Sequence, residues 1–180
     1  LSVLCTTFLL PLLMTVLAFA ADSPFSDVAP DAPYAESIAY LVEHGITNGT
    51  DADTFSPDAP VTVRQWSVML CRAYGLPIEG DTWEEMSYVA MVEAYSHGWM
   101  YSSIFSAPET QMCRGALYDS AFAAAGIPIY DNTLYDREAL SAYENTLRIA
   151  GEFQLCDSCS NPQEIVTRAE TARLLHAILT

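Results

Sequence analysis

Apolar residues recur at helical spacing in three similar stretches of the chain, and each run closes on a glycine. In the first stretch Tyr34, Ile38, Leu41 and Val42 lead to Gly45. In the second, Tyr88, Met91, Val92 and Tyr95 lead to Gly98, and in the third Ala139, Tyr143, Leu147 and Ile149 or Ala150 lead to Gly151. Glycine takes the left-handed conformation that ends a helix at little steric cost, so each run is predicted to stop there. A polar or aromatic loop follows, then a proline, then a second helix. The distance from the glycine to that second helix holds within a residue or two. The pattern therefore predicts an all-α, mainly helical chain built of three helix-loop-helix units, over 25–75, 81–126 and 130–180.

The starts of the second helices carry the most information. Thr167-Arg168-Ala169-Glu170 is predicted to form a capping box, with the Thr167 hydroxyl accepting from the third helical amide and Glu170 reaching back to the cap. Thr62-Val63-Arg64-Gln65 repeats that logic with glutamine, whereas Cys113-Arg114-Gly115-Ala116 keeps the arginine and loses both capping partners. Thr and Glu at this spacing are accounted for by helix capping alone. The arginine is not, because a cation in the first turn opposes the helix dipole. An anionic ligand shared between that arginine and unused helix amides would explain it.

Residues 1–20 contain no charged side chain and end in Ala18-Phe19-Ala20, with small residues where a signal peptidase needs them. They read as a secretory signal peptide cut after Ala20; the competing reading is a retained membrane anchor, since about twenty apolar residues approach the length of a spanning helix. Once the leader is removed, no stable membrane insertion is expected. Export permits disulfides among Cys71, Cys113, Cys156 and Cys159, and four cysteines allow three pairings. Cys156-Asp157-Ser158-Cys159 suits a small loop disulfide or two unpaired thiols better than a metal or redox site.

Composition narrows the function. The 180 residues carry 23 acidic against 7 basic side chains, a formal charge of −16, and all seven basic residues are arginine. Nucleic acid is excluded as a general partner, because phosphate binding needs a dense positive face. No hydrolase, zinc-protease or phosphate-loop motif is present, and in so acidic a chain pairs of carboxylates arise without design, so no enzyme is read here. His44 and His97 each precede a terminating glycine, where an imidazole caps the last carbonyls of a helix. The stretch from Asn48 to Thr54 has alternating oxygen side chains but lacks the later bidentate glutamate of a calcium loop, and it reads as a turn. No cofactor is called for. A local anion site remains compatible with the acidic total, since an arginine can make a groove positive within a screening length of about 8 Å.

Phe25-Ser26-Asp27-Val28, then Tyr34, Ile38, Leu41, Gly45-Ile46, Gly49, Asp53-Thr54-Phe55, Pro57 and Val61-Thr62, with Met69 to Gly75, resemble an S-layer homology motif from end to end. Three tandem motifs are that family's usual complement; here the third is recognisable by residues 167–170, and the second is degenerate. The resemblance implies a pseudo-threefold arrangement of helix-loop-helix motifs around a central three-helix bundle. It also implies non-covalent attachment to anionic, pyruvylated secondary cell-wall polysaccharide on the surface of a bacterium, mainly Gram-positive. By motif position it assigns ligand binding to Thr167, Arg168 and Glu170, to Arg114, and to Asp27, with Asp81 or Asp136 as counterparts of the last. Arg64 stands one place beyond the matching slot, Val63, a displacement of about 100° around a helix. Among the aromatic residues Trp66, Trp83, Trp99, Tyr34, Tyr88, Tyr95 and Tyr101, core packing accounts for most, and Trp83, just after the Gly80-Asp81 turn, is the candidate for stacking on a sugar. The rival reading is a degenerate module that keeps the fold and mediates protein contact without wall binding.

Overall fold

A computed structural model describes residues 24–129, 142–156 and 161–180. The expected leader, the start of the third unit with Ala139 and Asp136, and Cys159 all lie outside the described residues. Among those described, the chain is mainly helical: α1 (Ala35–Glu43), α2 (Val63–Ala73), α3 (Trp83–Ser96), α4 (Arg114–Ala125), α5 (Ala142–Glu152) and α6 (Arg168–Leu179), with a short 3-10 turn at Ser102–Phe105. None of these helices is long and apolar enough to cross a membrane.

Helix ends follow local chemistry. Gly45 and Gly98 adopt φ of 67° and 73° just beyond α1 and α3. The residue before each is a histidine whose Nδ1 contacts the carbonyl four residues back, His44 to Tyr40 at 2.9 Å and His97 to Glu93 at 3.0 Å. In the third unit the sequence expectation fails: α5 runs through Gly151, and Gln154 takes the left-handed position at φ 58°. The Leu155 amide then reaches the Ala150 carbonyl at 3.0 Å, the same six-residue closure that Ile46 makes to Leu41 (2.8 Å) and Trp99 makes to Ala94 (2.9 Å). The apparent constancy of loop length came from the wrong residue. Counted from the true stops at 45, 98 and 154 to the helix starts at 63, 114 and 168, the connections measure 18, 16 and 14 residues.

Caps divide similarly. Thr62 and Gln65 form the full capping box, and an unforeseen second one joins Thr82 and Glu85 at the start of α3. At α6 only half the expected box exists: Thr167 Oγ1 accepts from the Glu170 amide, but the Glu170 carboxylate turns away to Arg114. A charge-assisted bond to a guanidinium outcompetes the bond to a neutral amide.

The units are not packed as separate hairpins. Each second helix lies against the first helix of the next unit, α2 on α3, α4 on α5 and α6 on α1. One contiguous core results, with Trp66, Phe55, Phe122, Leu117, Leu147 and Leu174 fully buried. Trp66 Nε1 donates to Ser120 Oγ at 2.8 Å, which settles its only polar atom inside that core. The segments preceding α2, α4 and α6 meet one another by antiparallel bridges, Pro60 with Thr167, Thr62 with Gln111, and Cys113 with Ile165. Each segment thus touches both others.

One carboxylate organises the first loop. Asp27 accepts from the amides of Phe55 (2.9 Å) and Ser56 (2.7 Å), and Ser56 holds φ 59°, a conformation that needs such support in a residue with a Cβ. Asp27, although exposed, has both carboxylate oxygens engaged by the backbone. Gly49 closes the same loop at φ 85°, where a Cβ would stand 2.5 Å from the Phe25 ring and 2.4 Å from the Thr54 carbonyl oxygen. Cys71 and Cys113 are free thiols, while Cys156 is disulfide-bonded. Burial pushes the Cys71 thiol up to about 12.

Three outcomes follow. Gln154→Gly relieves the left-handed strain and raises unfolding free energy by about 0.5–1 kcal/mol, read by denaturant melting. Asp27→Ala removes two charge-assisted acceptors beneath a strained residue and costs about 2–3 kcal/mol in the same assay. Brief alkylation at neutral pH, read by peptide mass spectrometry, labels Cys113 and leaves Cys71 untouched until the fold is melted, because the thiolate is the reacting species.

Candidate functional site

Helix starts are the natural place to seek an anion site, and here the first two amides of α2, α4 and α6 are already used. At α2 the Val63 and Arg64 amides donate to the carbonyls of Thr110 and Pro108, each at 2.9 Å. At α4 Arg114 and Gly115 donate to Glu164 (2.7 Å) and Pro162 (2.9 Å). At α6 Arg168 and Ala169 donate to Ala59 and Pro57, each at 2.9 Å. The third amide of α2 and of α6 goes to its threonine cap. The expectation of unused helix amides is therefore overturned at α2 and α6, where recognition falls to side chains.

Three surface grooves surround these junctions on one plan. Each is lined by the loop and second helix of one unit, by the first helix of the next or the residue that leads into it, and by the opening residue of the remaining unit's second helix. That opening residue is Arg168, Arg114 or Val63, and it sets each groove's character.

The groove at Arg168, with a volume of about 550 Å³, runs between the Ile46–Ala52 loop, α2 and the start of α3. Arg168 is only 3% exposed, lies 4.6 Å over the Phe55 ring and donates from Nε to the Phe55 carbonyl at 2.7 Å. Its Nη2 is buried without a hydrogen-bond partner. Burial pulls the guanidinium's proton affinity down and the field of Asp27 pushes it back up; an arginine stays charged under both. Asp27 thus acts on this groove twice, through its field and through the loop that offers the Phe55 carbonyl. Trp83, 43% exposed, borders the same groove, so the structure brings these two predicted residues together. Arg72 also lines it, its Nη2 lying 3.6 Å from Met86 Sδ, and was not singled out from the sequence. Its spacing was a usable signal: Gln65, Val68, Met69 and Arg72 fall at i, i+3, i+4 and i+7, and all four face the groove. Against these two arginines stands one lining aspartate, Asp51.

The groove at Arg114, about 470 Å³, is built from predicted residues and is occupied by their own pairing. Arg114 reaches both oxygens of Glu170, at 2.7 and 3.1 Å, and Glu164 at 2.5 Å. Those bonds push its proton affinity up. Asp58, Glu164 and Glu170 against Arg114 and Arg173 leave the lining acidic by one charge. Thr167 lies here too, as a cap. Arg64 enters none of the three grooves; it pairs with Glu109 at 2.7 Å and donates to Ser87 at 3.1 Å. The extra 100° of rotation carried it to a different face. Asp81 is tied at its amide to the Glu85 carboxylate, 3.0 Å away. Among the described residues no group of histidine, cysteine and carboxylate side chains converges as a metal site.

The S-layer homology domain family model matches residues 24–62, the stretch that contains Asp27, α1 and the loop lining the Arg168 groove. The chain is 41% identical over 70 residues to a cell surface protein of Thermoanaerobacter kivui, covering 39% of this chain and 9% of that protein. It is 40% identical over 60 residues to the surface-layer 125 kDa protein of Lysinibacillus sphaericus, covering 33% of this chain and 5% of that one. The chain thus spans less than a tenth of either relative. With the helical fold and the matched motif together, the chain carries an S-layer homology domain motif at residues 24–62.

Proposed function

We propose that this chain is a non-enzymatic, exported anchoring module that holds its bearer on a bacterial cell surface by binding an anionic cell-wall polysaccharide in the Arg168 groove. Arg168, Arg72 and Trp83 are the contacts. The observation that carries this reading is the buried Arg168 guanidinium: one nitrogen has no partner, and the groove beside it has two cations against a single acid. A buried charge without a carboxylate is costly unless a ligand completes it. A sugar-borne carboxylate such as a pyruvate ketal supplies the missing acceptor, while its ring stacks on Trp83. The surface names of both relatives and the matched motif support the location. The ring of bridges between units supports the threefold motif arrangement that the family resemblance implies.

A second reading has its own support. Arg114 is neutralised by two glutamates and the third groove opens on Val63, so in two of three grooves the opening position presents no available guanidinium, and Arg64 pairs with Glu109. A module so depleted could serve protein contact alone.

Sedimentation of the intact chain with Gram-positive sacculi separates the two. The anchoring reading expects co-sedimentation that weakens with salt and disappears when pyruvate is stripped from the wall. Arg168→Gln is expected to lower affinity roughly ten- to a hundredfold, the loss of one charge-assisted contact of about 1.5–3 kcal/mol. Because Arg168 is buried, exposed Trp83→Ala is the companion variant, expected to weaken binding with an unchanged melt. Retention indifferent to pyruvate and to both substitutions would overturn wall attachment and leave protein contact.

A further inference from the structure

Burial separates one methionine from the others among the described residues. Met69, Met91, Met100 and Met112 are at most 8% exposed. Met86 is half-buried on α3, one turn beyond Trp83, and lines the Arg168 groove with it. Peroxide oxidises a thioether in step with access to its sulfur. Selectivity for Met86 is therefore built into the packing.

The sulfur also has a specific neighbour. Arg72 Nη2 lies 3.6 Å from Met86 Sδ, and no carboxylate pairs with this guanidinium among the described residues. Burial pulls the proton affinity of Arg72 down, as expected of a cation that has lost water without gaining an anion. A thioether is only a weak acceptor, so it leaves that demand largely unmet. A sulfoxide oxygen is a strong, uncharged acceptor on the same atom. Oxidation thus brings an acceptor to a guanidinium that already faces it.

The step needs only a peroxide. The sulfur lone pair attacks one peroxide oxygen, the S–O bond forms as the O–O bond breaks, and the proton passes to the departing hydroxide, which leaves as water. Sulfur is oxidised, the peroxide is reduced, and the side chain stays neutral. A dithiol reductant reverses the change, the oxygen leaving as water while the dithiol closes to a disulfide. We infer that Met86 is a reversible oxidation site whose sulfoxide ties up Arg72 and so weakens the Arg168 groove for anions. The oxidation and the bond to Arg72 stand on the contact above; only the loss of anion affinity rests on the wall attachment proposed earlier.

Mild hydrogen peroxide on the intact chain, followed by peptide mass spectrometry, is expected to convert Met86 roughly tenfold faster than any of the four buried methionines. The oxidised chain is expected to bind pyruvylated Gram-positive sacculi about three- to tenfold more weakly, and methionine sulfoxide reductases to restore it. Met86→Leu binds like the unoxidised chain and ignores peroxide; Met86→Gln, whose amide oxygen stands in for the sulfoxide, binds weakly without it. In Arg72→Gln, binding starts low and oxidation takes nothing more. Thermal melts of every species confirm folding and give a readout independent of the wall. Oxidation lowers Tm more in Arg72→Gln than in the native chain, because only the native sulfoxide has a guanidinium to meet. Should the unoxidised chain ignore sacculi, the wall reading fails and these melts alone judge the inference. It is overturned if Met86 reacts no faster than the buried methionines, if equal Tm shifts in the two chains show no bond to Arg72, or if sacculi hold the oxidised and native chains alike.

Discussion

The first amides of α2, α4 and α6 have no acceptor within their own helices, and the fold is arranged around satisfying them. Every helix begins with donors that its own carbonyls cannot reach, and in a packed interior those donors must find partners. Here the partners are carbonyls from the segment before another unit's second helix: Thr110 and Pro108 for α2, Glu164 and Pro162 for α4, Ala59 and Pro57 for α6. Each unit completes one neighbour and is completed by the other. Cross-unit helix packing, α2 on α3, α4 on α5 and α6 on α1, expresses the same constraint in apolar contacts. The helices of each unit pack chiefly on those of its neighbours, so the stretch matched by the family model leans on the rest of the chain for its packing.

That arrangement also dictates what recognition can use. With the helix starts consumed internally, charge selectivity rests on the single side chain that opens each second helix. Arg168 meets a carbonyl and an aromatic face, Arg114 meets two glutamates, and Val63 brings no charge. Three grooves of one plan consequently differ in character: cationic at Arg168, internally paired and slightly acidic at Arg114, and largely apolar around the Asp119 carboxyl at Val63. An overall charge of −16 says nothing about this, because the differences lie within a few ångströms of each junction.

Much of the fold was legible in the sequence because its signals are local. The spacing from Tyr34 to Gly45 and from Tyr88 to Gly98, and the capping pair Thr62 and Gln65, concern neighbours a few residues apart, and the structure follows them. Gly151 misled because a glycine near a helix end resembles a stop, whereas the hydrogen-bond closure that defines the stop belongs to Gln154. The site was less legible. Trp83 and Arg168 share a groove although 85 positions separate them, and nothing local announces that meeting. Glu170 looked like half of a capping box because its rival partner, Arg114, lies 56 residues away. Arg72 sat in the last turn of α2, where a cation complements the helix dipole, and that adequate local account hid its place on the groove face.

The inequality of the grooves bears on geometry at the wall. Three identical grooves would let a molecule seat itself on a polymer in any of three rotations, and whatever it carried would point in as many directions. With a lone cationic groove at Arg168, that degeneracy is lifted. On the proposed attachment, every molecule seated through it would share one azimuth relative to the strand beneath, so the valine at the head of α2 and the glutamates on Arg114 together would align a surface coat.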